Sequence, residues 1–447
     1  MRVFETVAEA FESGKRCFDE MMAEPDIPVF TAGAEYGSSG CPGEFRSRIA
    51  FGDNLEYMAA LIRNEQMSGK VQLIYVDPPF FSRGKYQASI RLDSEALGRS
   101  ELIKAGAYDD CWGGDMSRYI EMLTSRLFMM KELLAENGCI WVHLDWHVVH
   151  YVKVILDEIF GADNFVNEII WTYKSGGSSR RSFAKKHDTL LVYGKSREYY
   201  FDPLKEKSYN RDYKPYRFRG VEEFCDEKGW YTMVNMKDVW NIDMVGRTSS
   251  ERNGYATQKP EKLMERIVES CSREGDICAD FFAGSGTLGT VCDKLGRKWI
   301  MCDAGKLSAA CQISRMGAQS SDFVFSYSDD TGMQGGGSAG NGEIEAVLEA
   351  GEAVLTDYRI SEAEIKSAGF ASDVKSMREI EKYLSEDSLS LIKWWSIDEN
   401  YDGKIHRAEK IITDGRRRCR LGNTCGAAVS IMGCDVLGNM FFRIMDA

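Results

Sequence analysis

One short segment constrains the fold of this chain more than any other: an apolar run that stops at Asp77-Pro78-Pro79-Phe80. The run Leu73–Val76 has the length and composition of a buried strand. Proline cannot continue a strand's hydrogen-bond ladder, and it forces the residue before it into an extended conformation. The predicted turn presents a carboxylate, a carbonyl and an aromatic ring, which together suit the exocyclic amine of a flat heterocycle. The same residues also fit an ordinary Asp-Pro turn at a strand end.

A second segment has the pattern of strand, glycine-rich turn and helix. The apolar run 275–279 leads into Asp280–Thr287, and the stretch 288–295 has helical spacing. Gly284 and Gly286 would let the backbone approach a nucleotide-like ligand closely. A later predicted strand ends at Asp303, where an acid commonly binds ribose hydroxyls. The turn lacks the Gly-Lys-Ser/Thr of a P-loop, so a triphosphate is not the expected ligand.

These two segments predict one shared site in a doubly wound α/β sheet. Ligands of such sheets bind at the carboxyl ends of the strands, near the point where the strand order reverses. Asp77 and Gly284 both follow predicted strands, so they can lie on the same edge although about 200 residues separate them.

The two segments resemble those of the S-adenosylmethionine-dependent DNA methyltransferases that methylate exocyclic amines. Asp77-Pro78-Pro79-Phe80 matches the catalytic tetrapeptide of that family, and Asp280–Thr287 matches its cofactor loop. The motif order resembles the permuted beta group and the modification subunits of type III restriction systems. The resemblance spans residues 46–316. Further matching stretches are 51–55, 156–161, 164–166, 187–193 and 257–264.

The resemblance implies an adenine-specific DNA methyltransferase that acts on the N6 amine of a flipped base, with S-adenosylmethionine as cofactor and double-stranded DNA as partner. Acceptors at Asp77 and the Pro78 carbonyl would hold the amine, Phe80 would stack on the base, and no metal is required. Two alternatives stay open. Cytosine N4 methylation uses the same chemistry, although that group more often has Ser in place of Asp77. A non-catalytic DNA-binding modification subunit would retain the fold without the reaction.

The resemblance also assigns site residues in this sequence. Asp53 has an equal structural interpretation as the N-cap of a helix beginning near Leu55, and Lys259 as part of a Lys-Pro helix start. The catalytic residues are expected to be Asp77, Pro78, Pro79 and Phe80. The cofactor-binding residues are expected to be Asp280, Phe281, Ala283, Gly284, Ser285, Gly286, Thr287, Asp303, Lys259 and Asp53.

The expected fold is a doubly wound, mostly parallel, seven-stranded Rossmann-like methyltransferase sheet with a target-recognition insert and a small β-rich C-terminal appendage. Helical patterns are expected over 343–386, followed by β-rich segments at 391–398 and 427–445. The expected divisions are an N-terminal lead-in 1–45, a catalytic half 46–172, a target-recognition insert 173–255, a cofactor-binding half 256–330, a Gly-rich linker 331–342 and a C-terminal region 343–447.

Charge distribution points to the insert as the DNA-binding part. The net charge of −13 argues against general nucleic-acid binding. From Lys174 to Arg219, however, thirteen Lys and Arg residues stand against five Asp and Glu residues, with aromatic residues between them. This stretch predicts a DNA track, with a solvated loop surface as the alternative. The expected DNA contacts are Arg180, Arg181, Lys185 and Lys186, on a loop beginning near Ser175 that could close on DNA.

Composition favours a cytoplasmic enzyme. No apolar run is long enough to span a membrane, and no apolar leader opens the sequence. The thirteen cysteines are scattered without a Cys-x-x-Cys pair, which favours reduced thiols over disulfides. The five histidines do not form a convincing zinc pattern. The resemblance leaves a restriction subunit and a homodimer open as partners.

Overall fold

The computed structural model describes residues 2–26, 28–37, 44–94, 96–175, 180–331, 342–367, 374–422 and 428–446. The predicted linker 331–342 and the middle of the loop that begins at Ser175 therefore lie largely outside the described residues. Within these ranges, no helix combines the length and the apolar character that crossing a membrane requires.

Both α-helices and β-strands are distributed along the chain, with a run of six strands, β7 to β12, between α4 and α5. The α-helices are α1 Val3–Ala23, α2 Asn54–Arg63, α3 Met116–Leu133, α4 Val149–Phe160, α5 Glu261–Cys271, α6 Thr287–Lys294, α7 Lys306–Ala318, α8 Glu362–Ser367 and α9 Val374–Glu386. The strands are β1 Phe30–Tyr36, β2 Ser47–Phe51, β3 Val71–Val76, β4 Lys85–Ser94, β5 Arg99–Asp109, β6 Leu134–Leu144, β7 Phe165–Thr172, β8 His187–Gly194, β9 Lys205–Tyr209, β10 Phe224–Asp226, β11 Gly229–Asn235, β12 Val239–Asn241, β13 Ile277–Asp280, β14 Lys298–Asp303, β15 Phe323–Ser328, β16 Gly342–Glu349, β17 Glu352–Ile360, β18 Ile392–Tyr401, β19 His406–Ala408, β20 Ile411–Ile412, β21 Arg418–Arg420, β22 Ala428–Asp435 and β23 Met440–Met445.

A large, mostly parallel sheet organises the molecule. In the described part of the chain it has eleven strands, in the order β12-β7-β8-β6-β3-β13-β14-β2-β15-β1-β19. Strands β8, β1 and β19 run opposite to the others. The predicted doubly wound, mostly parallel architecture is confirmed, but the sheet is wider than the seven strands expected. Every residue of β3 is buried, as both-face coverage of a central parallel strand requires.

Helices cover both faces of this sheet. Leu73 and Tyr75 of β3 point into a core with α5, α6 and α7, whereas Ile74 and Val76 point into a core with α1, α2, α3 and α4. This alternation is the two-residue period of a strand that is buried on both sides. The two helical layers hold the strand ends rigidly, so side chains at the sheet edge have fixed positions.

The strand order reverses between β3 and β13. These two strands pair in parallel, with Asp280 beside Tyr75. From β3 the chain continues toward β6, whereas from β13 it continues through α6 to β14 on the other side. The two segments singled out from the sequence, Asp77–Phe80 and Asp280–Thr287, therefore lie side by side at the reversal point, where open α/β sheets bind ligands.

The expected divisions of the chain need three corrections. The lead-in 1–45 contributes β1 to the central sheet, in antiparallel pairing with β15. The range 173–255 is not a separate insert, because β8 and β12 belong to that sheet; only β9, β10 and β11 form a sheet of their own. Residues 342–360, expected to be helical, form the antiparallel pair β16–β17. The β-rich segments expected at 391–398 and 427–445 are present as β18, β22 and β23.

A two-stranded hairpin, formed by β4 and β5, follows the Asp77–Phe80 segment directly. No short sequence pattern predicts this hairpin. Its apolar side chains join a third core with the C-terminal region, which is defined as residues 342–446. Three hydrogen bonds fix the contact: Ser94 Oγ to Asp387 Oδ2 (2.5 Å), Tyr383 OH to the Leu92 carbonyl (3.2 Å) and the Lys104 backbone N–H to Ser376 Oγ (3.1 Å).

Candidate active site

Asp77 extends from the end of β3 into a cavity, and its two carboxylate oxygens have different surroundings. Oδ2 accepts a hydrogen bond from Lys259 Nζ, within an ion pair whose partners are mostly buried. Oδ1 is buried and has no hydrogen-bond partner. A buried acceptor without a donor is costly, so an unpaired oxygen in a cavity marks a position for a ligand donor.

A chain of polar side chains lies behind Asp77. His143, at the end of β6, is fully buried, and its Nδ1 lies 2.7 Å from Tyr75 OH and 3.7 Å from Asp77 Oδ1. Its Nε2 lies 3.3 Å from Asp188 Oδ2, and the other oxygen of Asp188 accepts from Tyr173 OH at 3.1 Å. Burial raises the pKa of Asp188, but hydrogen bonds and charges from His143 and the charge of Lys259 outweigh it, and the net shift of that pKa is downward.

The ring of Phe80 lies at the cavity beside this cluster. Its centroid is 5.7 Å from that of His143, and Lys259 Nζ is 5.4 Å from the Phe80 ring centroid. Trp171 packs edge-on against the His143 ring at 5.3 Å and also lines the cavity. The wall beside Asp77 is therefore aromatic, which suits a planar ligand.

The glycine-rich turn forms the opposite wall. Gly284 has a φ of +46°, and a Cβ there would lie 3.2 Å from the Tyr255 ring. Gly286 has a φ of +76° and is the N-cap of α6. The backbone N–H of Gly284 donates to Asp303 Oδ2 at 2.8 Å, and Ser308 Oγ donates to the Gly284 carbonyl at 2.7 Å. The end of β14 and the start of α7 thus hold the turn in place.

Five aspartates line the cavity: Asp77, Asp109, Asp188, Asp280 and Asp303. Burial raises the pKa of Asp280 well above its usual value; the Phe282 backbone N–H opposes this shift, and the charges of Asp77 and Asp303 add to it. Burial likewise raises the pKa of Asp303. A ligand carrying positive charge would relieve the repulsion among these groups.

Most of the predicted site residues meet in this one cavity. The exceptions are Phe281, whose side chain is fully buried in the core with α2 and α3, Gly286, which shapes the turn, and Asp53. Phe282 lines the cavity instead of Phe281, because successive residues at the strand end point to opposite faces. The predicted residues that line the cavity are Asp77, Pro78, Pro79, Phe80, Lys259, Asp280, Ala283, Gly284, Ser285, Thr287 and Asp303.

Asp53 has the structural role that was its alternative interpretation. Its Oδ1 accepts from the backbone N–H of Leu55 at 2.7 Å and of Glu56 at 3.3 Å, which makes it the N-cap of α2. Its Oδ2 pairs with Arg126 at 2.7 Å. Among the described residues, those that line the cavity do not include Asp53, and its role as a cofactor contact stays a prediction.

Lys259 lines the cavity, and its predicted role as a cofactor residue stays a prediction. Its ammonium group pairs with Asp77, while its backbone carbonyl accepts from Thr287 Oγ1 at 3.2 Å. It therefore connects the Asp77 segment to the glycine-rich turn.

Several cavity residues were not predicted from the sequence. Tyr86 and Tyr108 of the hairpin stack at 4.6 Å between centroids and line the cavity with Tyr255. His143 and Asp188 were not assigned to the site either. Asp188 lies in the matching stretch 187–193, but its proximity to His143 arises from the antiparallel pairing of β8 with β6, which brings the start of β8 to the edge where β6 ends.

The predicted DNA contacts lie away from the cavity walls. Lys185 Nζ lies 3.3 Å from the centroid of the exposed Trp146 ring, and Lys186 Nζ donates to the carbonyls of Lys174 at 2.9 Å and Ser175 at 3.0 Å. Arg180 and Arg181 are exposed on the same segment. Their role in DNA binding stays a prediction.

Comparison with known proteins gives one family. The family model described as DNA methylase (N6/N4) matches residues 71–311. The chain is 27% identical over 306 residues to type II methyltransferase M.EcaI of Enterobacter cloacae, covering 55% of this chain and 64% of that protein. It is 30% identical over 192 residues to M.HpaI of Haemophilus parainfluenzae, covering 43% and 57%. It is 30% identical over 239 residues to M2.DpnII of Streptococcus pneumoniae, covering 53% and 78%. The chain thus spans less than two thirds of the first two relatives.

Proposed function

This chain belongs to the N6/N4 DNA methylase family, and from that premise we propose that it transfers a methyl group from S-adenosylmethionine to the exocyclic N6 amine of an adenine in double-stranded DNA. The observation that carries the proposal is Asp77: one carboxylate oxygen is fixed by Lys259, and the other is buried without a donor. An exocyclic amine is the donor that this oxygen lacks.

The cavity walls fit the cofactor of the family, which is S-adenosylmethionine. When bound, it supplies a methyl group activated by a positively charged sulfur. Five aspartates line the cavity, which favours a cationic ligand, and Gly284 leaves room that a Cβ would fill. Asp303 is the candidate for the ribose hydroxyls, and the turn 283–287 for close backbone contact.

The chain's own residues then prepare the amine for attack. An aromatic amine is a weak nucleophile because its lone pair is delocalised into the ring. Acceptors at Asp77 Oδ1 and the Pro78 carbonyl hold the two amine hydrogens and favour a nitrogen with its lone pair freed. The negative charge of Asp77 stabilises the positive charge that develops on that nitrogen. The rigid Pro78-Pro79 turn fixes both acceptors in position, which contributes to catalysis by orientation.

The reacting base must leave the duplex to reach Asp77. Unstacking a base costs a few kcal/mol, and stacking on an aromatic side chain returns about 1–3 kcal/mol. Phe80, with Trp171, Tyr86 and Tyr108 nearby, provides such a surface in the cavity. Arg180, Arg181, Lys185 and Lys186 are proposed to contact the DNA backbone. A restriction subunit and a homodimer stay open as partners.

Adenine is preferred over cytosine because Asp77 occupies the position at which the cytosine N4 group more often has Ser. Nucleoside mass spectrometry of plasmid DNA from cells that express the protein tests this choice. N6-methyladenine supports the proposal, whereas N4-methylcytosine would show that the target base is cytosine. Unmodified DNA that the protein nevertheless binds favours a non-catalytic subunit.

The role of Asp77 is tested by Asp77→Asn. We expect the methylation rate to fall by at least about 10²-fold, the scale for loss of one preorganised electrostatic contact. Cofactor affinity, measured by isothermal titration calorimetry, should persist because the glycine-rich turn is untouched. Asp163→Asn is the matched control, since Asp163 pairs with Arg197 on the exposed surface. A near-normal rate in Asp77→Asn would refute the assignment.

A further inference from the structure

The polar cluster behind Asp77, formed by Tyr75, His143 and Asp188, is not required for packing. His143 is fully buried, yet both of its ring nitrogens face polar groups. Nδ1 faces Tyr75 of β3 and Asp77, which follows β3, and Nε2 faces Asp188 of β8. An apolar side chain would fill the same space without the cost of burying an imidazole and a carboxylate.

The contacts determine which nitrogen of His143 carries the proton. An ionised Asp188 can only accept, so the neighbouring Nε2 must hold a hydrogen. In a neutral ring, Nδ1 then carries a lone pair, to which Tyr75 OH donates at 2.7 Å. The lone pair lies 3.7 Å from the unpartnered Oδ1 of Asp77. A base supported by a buried carboxylate thus stands directly behind the proposed amine acceptor.

We propose that His143, supported by Asp188, receives through Asp77 the proton that the substrate amine loses during methylation. This inference rests on the proposed function. It assigns His143 a positioning and proton-accepting role that acts through Asp77 and does not require contact with the substrate.

The step balances in protons and charge. The amine lone pair forms the new N–C bond while the C–S bond of the methyl donor breaks and its electrons remain on sulfur. The methylated nitrogen then carries a positive charge and releases one proton to Asp77 Oδ1. That proton moves on to His143 Nδ1, while the Tyr75 hydroxyl turns from donor to acceptor. The resulting imidazolium lies between Asp77 and Asp188, both anionic again. The distance of 3.7 Å must shorten for this transfer, as catalytic contacts commonly do when substrate binds.

The same geometry predicts inhibition by acid. If His143 is protonated before the reaction, its Nδ1–H faces Asp77 Oδ1 and competes with the substrate amine for that oxygen. The charged and titratable groups around His143 are Tyr75, Asp77, Asp188 and Lys259, with Tyr173 behind Asp188.

Single-turnover methylation rates measured from roughly pH 5.5 to pH 9, where an imidazole changes charge, test the proposal. DNA and S-adenosylmethionine are kept saturating. We expect the wild-type rate to fall on the acidic side. His143→Gln should be slower by tenfold or more and should lose that acidic fall. Asp188→Asn and Tyr75→Phe should each slow the reaction, because each removes a partner that holds the His143 ring in place.

His147→Gln is the matched control. His147 also pairs with an aspartate, Asp145, at 2.6 Å, but this pair does not contact Asp77. It should keep the wild-type pH profile. Thermal unfolding and cofactor titration of each variant identify any that fails to fold, and the two single-group changes Asp188→Asn and Tyr75→Phe keep the test available in that case.

Two results would overturn the inference: an unchanged acidic fall in His143→Gln, or wild-type rates in both Asp188→Asn and Tyr75→Phe. A wild-type protein that methylates no DNA at any pH would instead refute the proposed function itself.

Discussion

At the scale of single residues, the two carboxylate oxygens of Asp77 have different roles. Lys259 binds Oδ2 of Asp77 and so fixes the plane of the group, which leaves Oδ1 directed at the cavity. Without the lysine, both oxygens would be free to rotate and to compete for one donor. Orientation of an acceptor before the substrate arrives is a common source of catalytic rate.

Lys259→Met tests this orientation. The methylation rate should fall by at least tenfold, since loss of a hydrogen bond to a charged group costs about 1.5–3 kcal/mol. Cofactor affinity should change little, because the lysine side chain points toward Asp77. Lys15→Met, which breaks an exposed ion pair with Asp19, serves as the control and should keep the wild-type rate. Equal rates for wild type and Lys259→Met would show that Asp77 needs no such support.

Gly284→Ala tests the space in the glycine-rich turn. An alanine at this position would have to adopt a φ of +46°, and its Cβ would lie 3.2 Å from the Tyr255 ring. Strain of about 1–2 kcal/mol for an L-residue in this region predicts roughly tenfold weaker cofactor binding by calorimetry. Gly275→Ala carries similar backbone strain, at φ of +83°, but has open space and lies outside the cavity. If both variants bind the cofactor equally well, the turn does not form its binding wall.

Local chemistry explains which residues could be predicted. Asp77, Pro78 and the turn at Gly284 could be predicted because each lies in a short stretch of sequence, directly after an apolar run, whose pattern identifies it. His143 and Asp188 acquire their meaning only from the pairing of β6 with β8 and of β6 with β3. Such long-range register is not contained in any short pattern, so the sequence revealed the acceptor and missed the base behind it.

At the scale of elements, the hairpin β4–β5 links the site to the rest of the molecule. It begins a few residues after Phe80, brings Tyr86 and Tyr108 to the cavity, and is held at its far end by Asp387 and Tyr383 of the C-terminal region. An isolated two-stranded hairpin is marginal in water. Its contacts with the C-terminal region are therefore needed to keep its aromatic pair at the cavity.

The error at residues 342–360 has a clear physical cause. This stretch is rich in Glu, Ala and Leu, which favour helices. Its alternating burial, with Ile344 and Ala346 inward and Glu343 outward, is the two-residue period of a strand. This stretch forms a strand because it pairs with β17 and packs against β23. Tertiary context thus overrides a weak local preference for helix.

His406, in β19, allows a test of the contact between the C-terminal region and the central sheet. Burial lowers its pKa from 6.5 to about 3, and its ring bonds Ser396 at 2.9 Å and Ser430 at 2.8 Å. Below pH 6.5 the unfolded chain takes up a proton that the folded chain refuses, so stability falls with falling pH. Between pH 7 and pH 5 this group alone should lower the free energy of unfolding by about 2 kcal/mol.

His406→Gln removes that titration while leaving hydrogen-bonding atoms in place. Urea unfolding at several pH values should show a smaller loss of stability from pH 7 to pH 5 in the variant than in the wild type. His150→Gln, at an exposed position, should follow the wild type. Parallel curves for wild type and His406→Gln would contradict the assignment.

At the scale of the whole molecule, the C-terminal region contacts both walls of the cavity. It packs on the hairpin beside the Asp77 segment, and its turn at Gly438 packs against Lys306, the first residue of α7. That helix carries Ser308, which holds the glycine-rich turn. The family model ends at residue 311, yet the structure beyond it supports the site from two sides.

Gly438→Ala tests this long-range support. Gly438 has φ of +90°, and a Cβ there would lie 2.7 Å from the Lys306 backbone, so the turn or the start of α7 must move. We expect weaker cofactor binding, by severalfold in calorimetry, although the position lies outside the cavity. Gly415→Ala, with φ of +76° and open space around it, should bind the cofactor as the wild type does. Unchanged affinity in Gly438→Ala would show that the C-terminal region does not influence the cofactor wall.

The pairing of β1 with β19 has a consequence for the order of events during protein synthesis. Ala34 leaves the ribosome early, but its strand partner His406 follows more than 370 residues later. At about 5–20 residues per second, the growing chain spends on the order of 20 seconds or longer with that sheet edge unpaired. We therefore expect a nascent chain, even with its motifs already translated, to gain full activity only when the last strands have joined the sheet.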